Sequence, residues 1–88
     1  MAVYMISYDL HAPTNNRDKV ENAIKALGTW CKFVSTTFLV KSTLGVDGVQ
    51  SAVVMHLDAN DRMVICEVVK PIKGWLSPEQ WSQANQNL

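Results

Sequence analysis

The sequence predicts an α+β fold in which two strand-helix-strand units share one antiparallel sheet. Three observations carry that expectation. Aromatic and β-branched runs at residues 3–10, 29–42 and 63–69 read as strands. Apolar stripes at three-and-four spacing, from Val20 to Leu27 and from Val46 to Leu57, read as helices alternating with them. A chain of 88 residues without repeats or low-complexity segments has room for one domain and a modest core.

The elements follow in order. "VYMISYDL" at 3–10 carries little charge before Asp9, so it reads as a strand buried on both faces and therefore central. Pro13 and the polar "TNN" stop it. Asn15 is the expected N-cap of the first helix, with Asp18 in the capping-box position, Glu21 near the positive end and Lys25 four residues further on. Val20, Ala23, Ile24 and Leu27 share a face, and Gly28 is expected to end the helix in the left-handed region. Extended throughout, residues 29–42 would span about 46 Å, too long for this domain, so a bend is expected near Ser35 and Thr36. Beyond it, Phe38 and Val40 fall on one face and Thr37, Leu39 and Lys41 on the other.

Val46, Val49, Val53, Val54 and Leu57 form the second helical stripe, held by burial because valine is a poor helix former. "DANDR" is a turn, and Met63 to Val69 is the last strand, ended at Lys70-Pro71. Ser77 as N-cap, Pro78 at the first helical position and Glu79 in the first turn predict a short terminal helix that fades into "QANQN".

The order β-α-β-β-α-β matches the split βαβ, ferredoxin-like arrangement, with two helices on one face of the sheet. Residues 1–88 read as a single domain, with an expected core at 3–69 and a C-terminal extension at 70–88. Right-handed crossovers place strands one and four in parallel-capable central positions beside their neighbours. One sheet face is expected to stay uncovered. Tyr4, Ile6 and Tyr8 share one face of the first strand and Met5, Ser7 and Asp9 the other, which predicts a homodimer formed face to face or edge to edge. Trp75 and Trp81 in the extension can cover apolar surface or grip a protein partner.

Eight basic and eight acidic side chains cancel, which removes any general attraction for polyanions and argues against a nucleic-acid coat protein. The first half holds five basic and three acidic residues, leaving a weak patch at Arg17, Lys19, Lys25 and Lys32. Cys31 and Cys66 stand in no paired spacing and read as reduced, buried thiols. No basic leader precedes "MAVYMI" and no run reaches the roughly 18 apolar residues of a membrane span, so a cytoplasmic protein is expected, in the host cytoplasm if viral. Glycine-rich phosphate loops, thiol triads and zinc signatures are absent from the sequence.

Asp9 and His11 flank the exit from the first strand. A hard cation such as Mg²⁺ or Mn²⁺ polarises phosphate and lowers the pKa of an attacking water, and it selects carboxylate oxygen. Asp9 fits that role as a metal ligand, with His11 as a proton-transfer group; equally, Asp9 serves as a turn acceptor and His11 as a surface or cap residue. Arg17, Lys19 and Lys32 are the candidate nucleic-acid-binding residues. Asn60 and Asp61 read as turn caps, Ser35, Thr36 and Thr37 as sheet and turn polar groups, and His56 as a helix residue outside any catalytic set. Tyr4, Tyr8, Phe33 and Phe38 read as core before base-stacking groups.

"YMISYDL", a polar turn carrying Arg17, a helix ending at Gly28 and "FVSTTFLV" together resemble the small ferredoxin-like CRISPR-associated endoribonuclease family. They resemble more closely the SinR-like and VapD-like small proteins, in which a similar first strand, a "G.W" step, an "STTF" stretch and a later "ND" recur in this order; the likeness spans about residues 3–69. The resemblance implies a homodimer in which Asp9 of both chains binds a divalent metal near the dimer axis. Val34 stands where that nuclease family commonly has a glutamine, and its basic DNA-gripping loops have no counterpart here.

Three functional classes follow. The first is a non-catalytic homodimeric interaction or regulatory protein on this scaffold, with no cofactor. The second is an RNA or DNA endonuclease that uses Mg²⁺ or Mn²⁺ and Asp9 of both subunits. The third is a nucleic-acid-binding module without catalysis. Fold alone does not choose among them.

Overall fold

The computed structural model describes residues 2–11 and 13–86, with the side chains of residues 13–16 and of Phe33 outside the described set. The elements are β1 (Ala2–Asp9), α1 (Pro13–Lys25), β2 (Thr29–Val34), β3 (Thr37–Ser42), α2 (Val46–Val54), β4 (Arg62–Glu67) and α3 (Pro78–Gln86). The four strands form one sheet in the order β2-β3-β1-β4, and every neighbouring pair is antiparallel. This is the ferredoxin-like arrangement. β1 and β3 are central, whereas β4 is an edge strand paired only with β1, contrary to the central position expected for it. Each split unit inserts a strand between its own two, so the parallel partners never touch and β4 ends up outside.

Alternation along β1 divides the interior. Tyr4, Ile6, Tyr8 and Leu10 pack with Phe38 and Val40 against Val20 and Ile24 of α1 and Val49 and Val53 of α2. Burying each large apolar side chain there contributes roughly 1.5–3 kcal/mol, which holds valine-rich α2 in place despite its propensity. Its apolar stripe is narrower than expected: Val46 and Val54 are exposed, and Leu57 joins the core from beyond the helix end. The other face of β1 is not left bare. Val3, Cys31 and Leu39 pack under Ala84, with Met5, Val68 and Trp81 around them, so α3 covers the β2–β3 half of this second face.

Several local expectations change. α1 begins at Pro13, ahead of Asn15, whose cap role falls on a side chain outside the described residues. Proline suits a first helical turn because its missing N–H has no partner there anyway. Gly28 does not adopt a positive φ. It is needed because a Cβ there would lie 1.9 Å from the Lys41 carbonyl oxygen, where the start of β2 meets the end of β3. α3 runs on through "QANQ" because Ser77 and Gln80 cap it reciprocally: Gln80 N donates to Ser77 Oγ at 3.2 Å and Ser77 N donates to Gln80 Oε1 at 2.9 Å. β4 stops at Glu67, before Val68 and Val69. The turn at Ser35 and Thr36 stands where the bend was expected, and a bulge follows Lys32 in β2. Among the described residues, no helix is long and apolar enough to cross a membrane.

Candidate functional site

Register places the second face of the sheet residue by residue. Asp9 pairs with Arg62, Ser7 with Val64 and Met5 with Cys66, and directly opposed residues share a face. α3 covers Val3, Cys31 and Leu39, with Met5 and Val68 at its border, so on this face the Ser7–Asp9 end of β1 and the Arg62–Val64 end of β4 stay open. Its centre is a shallow depression of about 430 Å³ lined by Ser7, Asp9, Thr36, Arg62 and Val64, with Tyr8 and Met63 at its margins. Val64 is 57 % exposed there, on the edge strand of the sheet.

Asp9 is exposed at the end of β1, and its carboxylate makes no hydrogen bond or ion pair among the described residues. Arg62, its cross-strand neighbour, donates from Nη1 to the carbonyls of Ala59 at 3.1 Å and Asp61 at 2.8 Å. Those contacts anchor the guanidinium beside the depression. One acid and one base therefore stand side by side on the open face. Ser7 Oγ accepts a hydrogen bond from Thr37 Oγ1 at 3.2 Å on the same face.

Asp61 and His11 meet at this end of the sheet in a structural role. The Asp61 carboxylate is buried and accepts His11 N at 2.7 Å and Asp58 N at 2.8 Å, tying the turn before β4 to the chain leaving β1. His11 takes part through its backbone, and it is exposed. The described residues contain no group of three or more His, Cys, Asp or Glu side chains that could hold a metal ion. One Asp9 per chain is too small a ligand set, so Mg²⁺ or Mn²⁺ does not fit a site built from a single protomer.

The basic residues expected to meet nucleic acid divide. Lys19 is exposed on α1. Arg17 and Lys32 instead converge on Glu21 Oε2, at 3.2 Å and 2.9 Å, and the Tyr8 hydroxyl donates to the same oxygen. Arg17 Nη2 also donates to the Ser35 carbonyl at 3.0 Å, pinning the β2–β3 turn to α1. Burial pushes the Glu21 carboxyl up, but the hydrogen bonds from Tyr8, Lys32 and Arg17 outweigh it and hold the group at about 2. Burial, then the bond to Glu21, pushes the Tyr8 hydroxyl well up, so it stays protonated and is no nucleophile. The Arg17 guanidinium is pushed up by its bond to Glu21. Lys25, four residues after Glu21, lies over the Trp30 ring at 4.7 Å.

Cys31 is buried and its thiol is pushed up by that burial. Cys66 is exposed on the open face opposite Met5, against the expectation of two buried thiols, because β4 is an edge strand and α3 does not reach it. His56 is half-buried just past α2. Sequence reasoning missed Arg62 and the role of Glu21. The signal for Arg62 was its place directly after "ND", as the first residue of a strand antiparallel to β1.

No protein-family model matches the chain, and no curated protein matches it. Chemistry and surface must carry the functional reading.

Proposed function

We propose that the chain acts as a homodimeric interaction or regulatory protein, built on a scaffold that resembles the CRISPR-associated endoribonucleases and the SinR-like and VapD-like proteins. One observation carries the reading: the β1–β4 half of the second sheet face is open and presents Val64 between Asp9, Arg62 and Ser7. An apolar centre rimmed by one acid and one base is self-complementary. About a two-fold axis, Asp9 of each protomer faces Arg62 of its partner while the two Val64 side chains meet. Arg17 and Lys32 are committed to Glu21, which weakens the case for a nucleic-acid groove at that patch. Sedimentation equilibrium of the wild type and of Val64→Arg tests the reading. It expects a micromolar dimer that the arginine dissociates, and a wild type that is monomeric well above that range refutes it.

A second reading, divalent-metal-dependent cleavage of RNA or DNA, is favoured by the exposed Asp9 carboxylate with no partner among the described residues. It requires both protomers' Asp9, since one chain supplies too few ligands. Mn²⁺-dependent cleavage by the wild type but not by Asp9→Asn supports this reading; no cleavage by either leaves the interaction protein.

A further inference from the structure

Trp75 is 101 % exposed, the largest apolar side chain the fold leaves fully in water. It stands in the segment between β4 and α3, and its neighbours Gly74 and Leu76 line a cavity of about 420 Å³. The walls of that cavity are mainly apolar, with Met5, Leu39, Ile72 and Trp81 among them, and Glu67 and Lys73 at its polar positions. The volume falls in the range that encloses small molecules, so an indole fits with room to spare. Because Trp75 lies between two residues of the cavity wall and is itself solvent-exposed, it points away from the cavity beside it. A projecting apolar group next to an apolar recess on one surface is the pattern that a two-fold operation satisfies reciprocally.

We propose that in the homodimer Trp75 of each protomer seats in the other's cavity, an exchange that rests on the homodimeric reading above. Each tryptophan buries roughly 150–250 Å² and covers a comparable area of cavity wall, so the two exchanges supply about half of what a stable interface requires. The open sheet face supplies the rest. Met5 borders the cavity and Asp9 the depression, about 13 Å apart on the same face of β1, so one partner laid along that strand reaches both.

Sedimentation equilibrium of wild type and Trp75→Ala is the test, with tryptophan emission followed over the same dilution series and Trp75→Phe as the difference reference. Trp75→Ala should dimerise at least about 30-fold more weakly, since a buried aromatic anchor of this kind dominates an interface. The Trp75 contribution to the emission should move to the blue as the wild type associates. Melting of the dilute monomer should be unchanged, because the indole touches nothing within its own chain. A Trp75→Ala protein that dimerises like the wild type overturns the exchange while the homodimer stands, and leaves the cavity to another occupant. A lowered monomer melting temperature for Trp75→Ala overturns it too, by showing that Trp75 packs within its own chain. A wild type monomeric at every concentration overturns the exchange and the homodimeric reading together.

Discussion

Replacing Glu21 by glutamine removes a charge on which three donors converge while keeping the shape of the side chain. Tyr8, Arg17 and Lys32 all donate to Oε2, joining α1 to β1 and β2. The difference between an ordinary carboxyl at 4.5 and the folded value of about 2 converts to about 3 kcal/mol. Arg17 and Lys32 are 41 % and 30 % exposed, so water screens part of that, and about 1–2 kcal/mol is the expected loss at neutral pH. For a domain of this size the melting temperature should fall by about 5–15 °C. The pH dependence has a definite sign. A carboxyl held down in the folded state stabilises fully above its unfolded pKa, and that contribution fades as pH falls from about 4.5 to about 2. The gap between wild type and Glu21→Gln, read by urea denaturation, should therefore close over that window. Equal stability at neutral pH, or a gap indifferent to acid, would refute the reasoning.

Three further outcomes are expected. Gly28→Ala places a methyl carbon 1.9 Å from the Lys41 carbonyl oxygen, and the strand shift this forces should cost roughly 1–3 kcal/mol in denaturant unfolding; no change would mean the β2–β3 junction yields freely. Ser77→Ala removes one arm of the α3 capping box at a cost of about 1 kcal/mol, which should raise the rate at which a thiol reagent reaches Cys31 beneath Ala84 by about five-fold. An unaltered Cys31 rate would show that α3 does not open to expose that face. Asp9→Asn should leave the unfolding free energy within about 0.5 kcal/mol of wild type, since the carboxylate has no partner among the described residues; a larger loss would show a structural role.

Strong periodicity made the fold legible. The alternation of Tyr4, Ile6 and Tyr8 against Met5 and Ser7, the Val20–Ile24 helical face and the bend at Ser35 and Thr36 all stand as the sequence pattern implied. What the pattern could not carry was non-local. Whether the second sheet face is bare depends on where α3 docks, and nothing within "SPEQWSQANQ" specifies that it lies over Cys31 and Leu39. The edge position of β4 likewise follows from how the two split units interleave, and it decides the exposure of Val64 and Cys66. Around the site, Asp9 was visible because a carboxylate interrupts an apolar strand. Arg62 became its neighbour only through antiparallel register, and Glu21 joined Tyr8, Arg17 and Lys32 only through packing of α1 on the sheet. Asp61 could be read as a turn cap, whereas its bond to His11 N joins residues 50 apart in the chain.

The central claim is that the open β1–β4 face joins two copies of the chain, and the rate at which a thiol reagent modifies Cys66 measures its coverage directly. Cys66 lies on that face, while Cys31 is buried with its thiol pushed up and stays silent on the same timescale. The Cys66 rate should fall as protein concentration rises through the micromolar range, in step with dimer formation by sedimentation, and Val64→Arg should restore the fast rate. A Cys66 rate independent of concentration while the protein is dimeric would place the interface elsewhere and contradict the account.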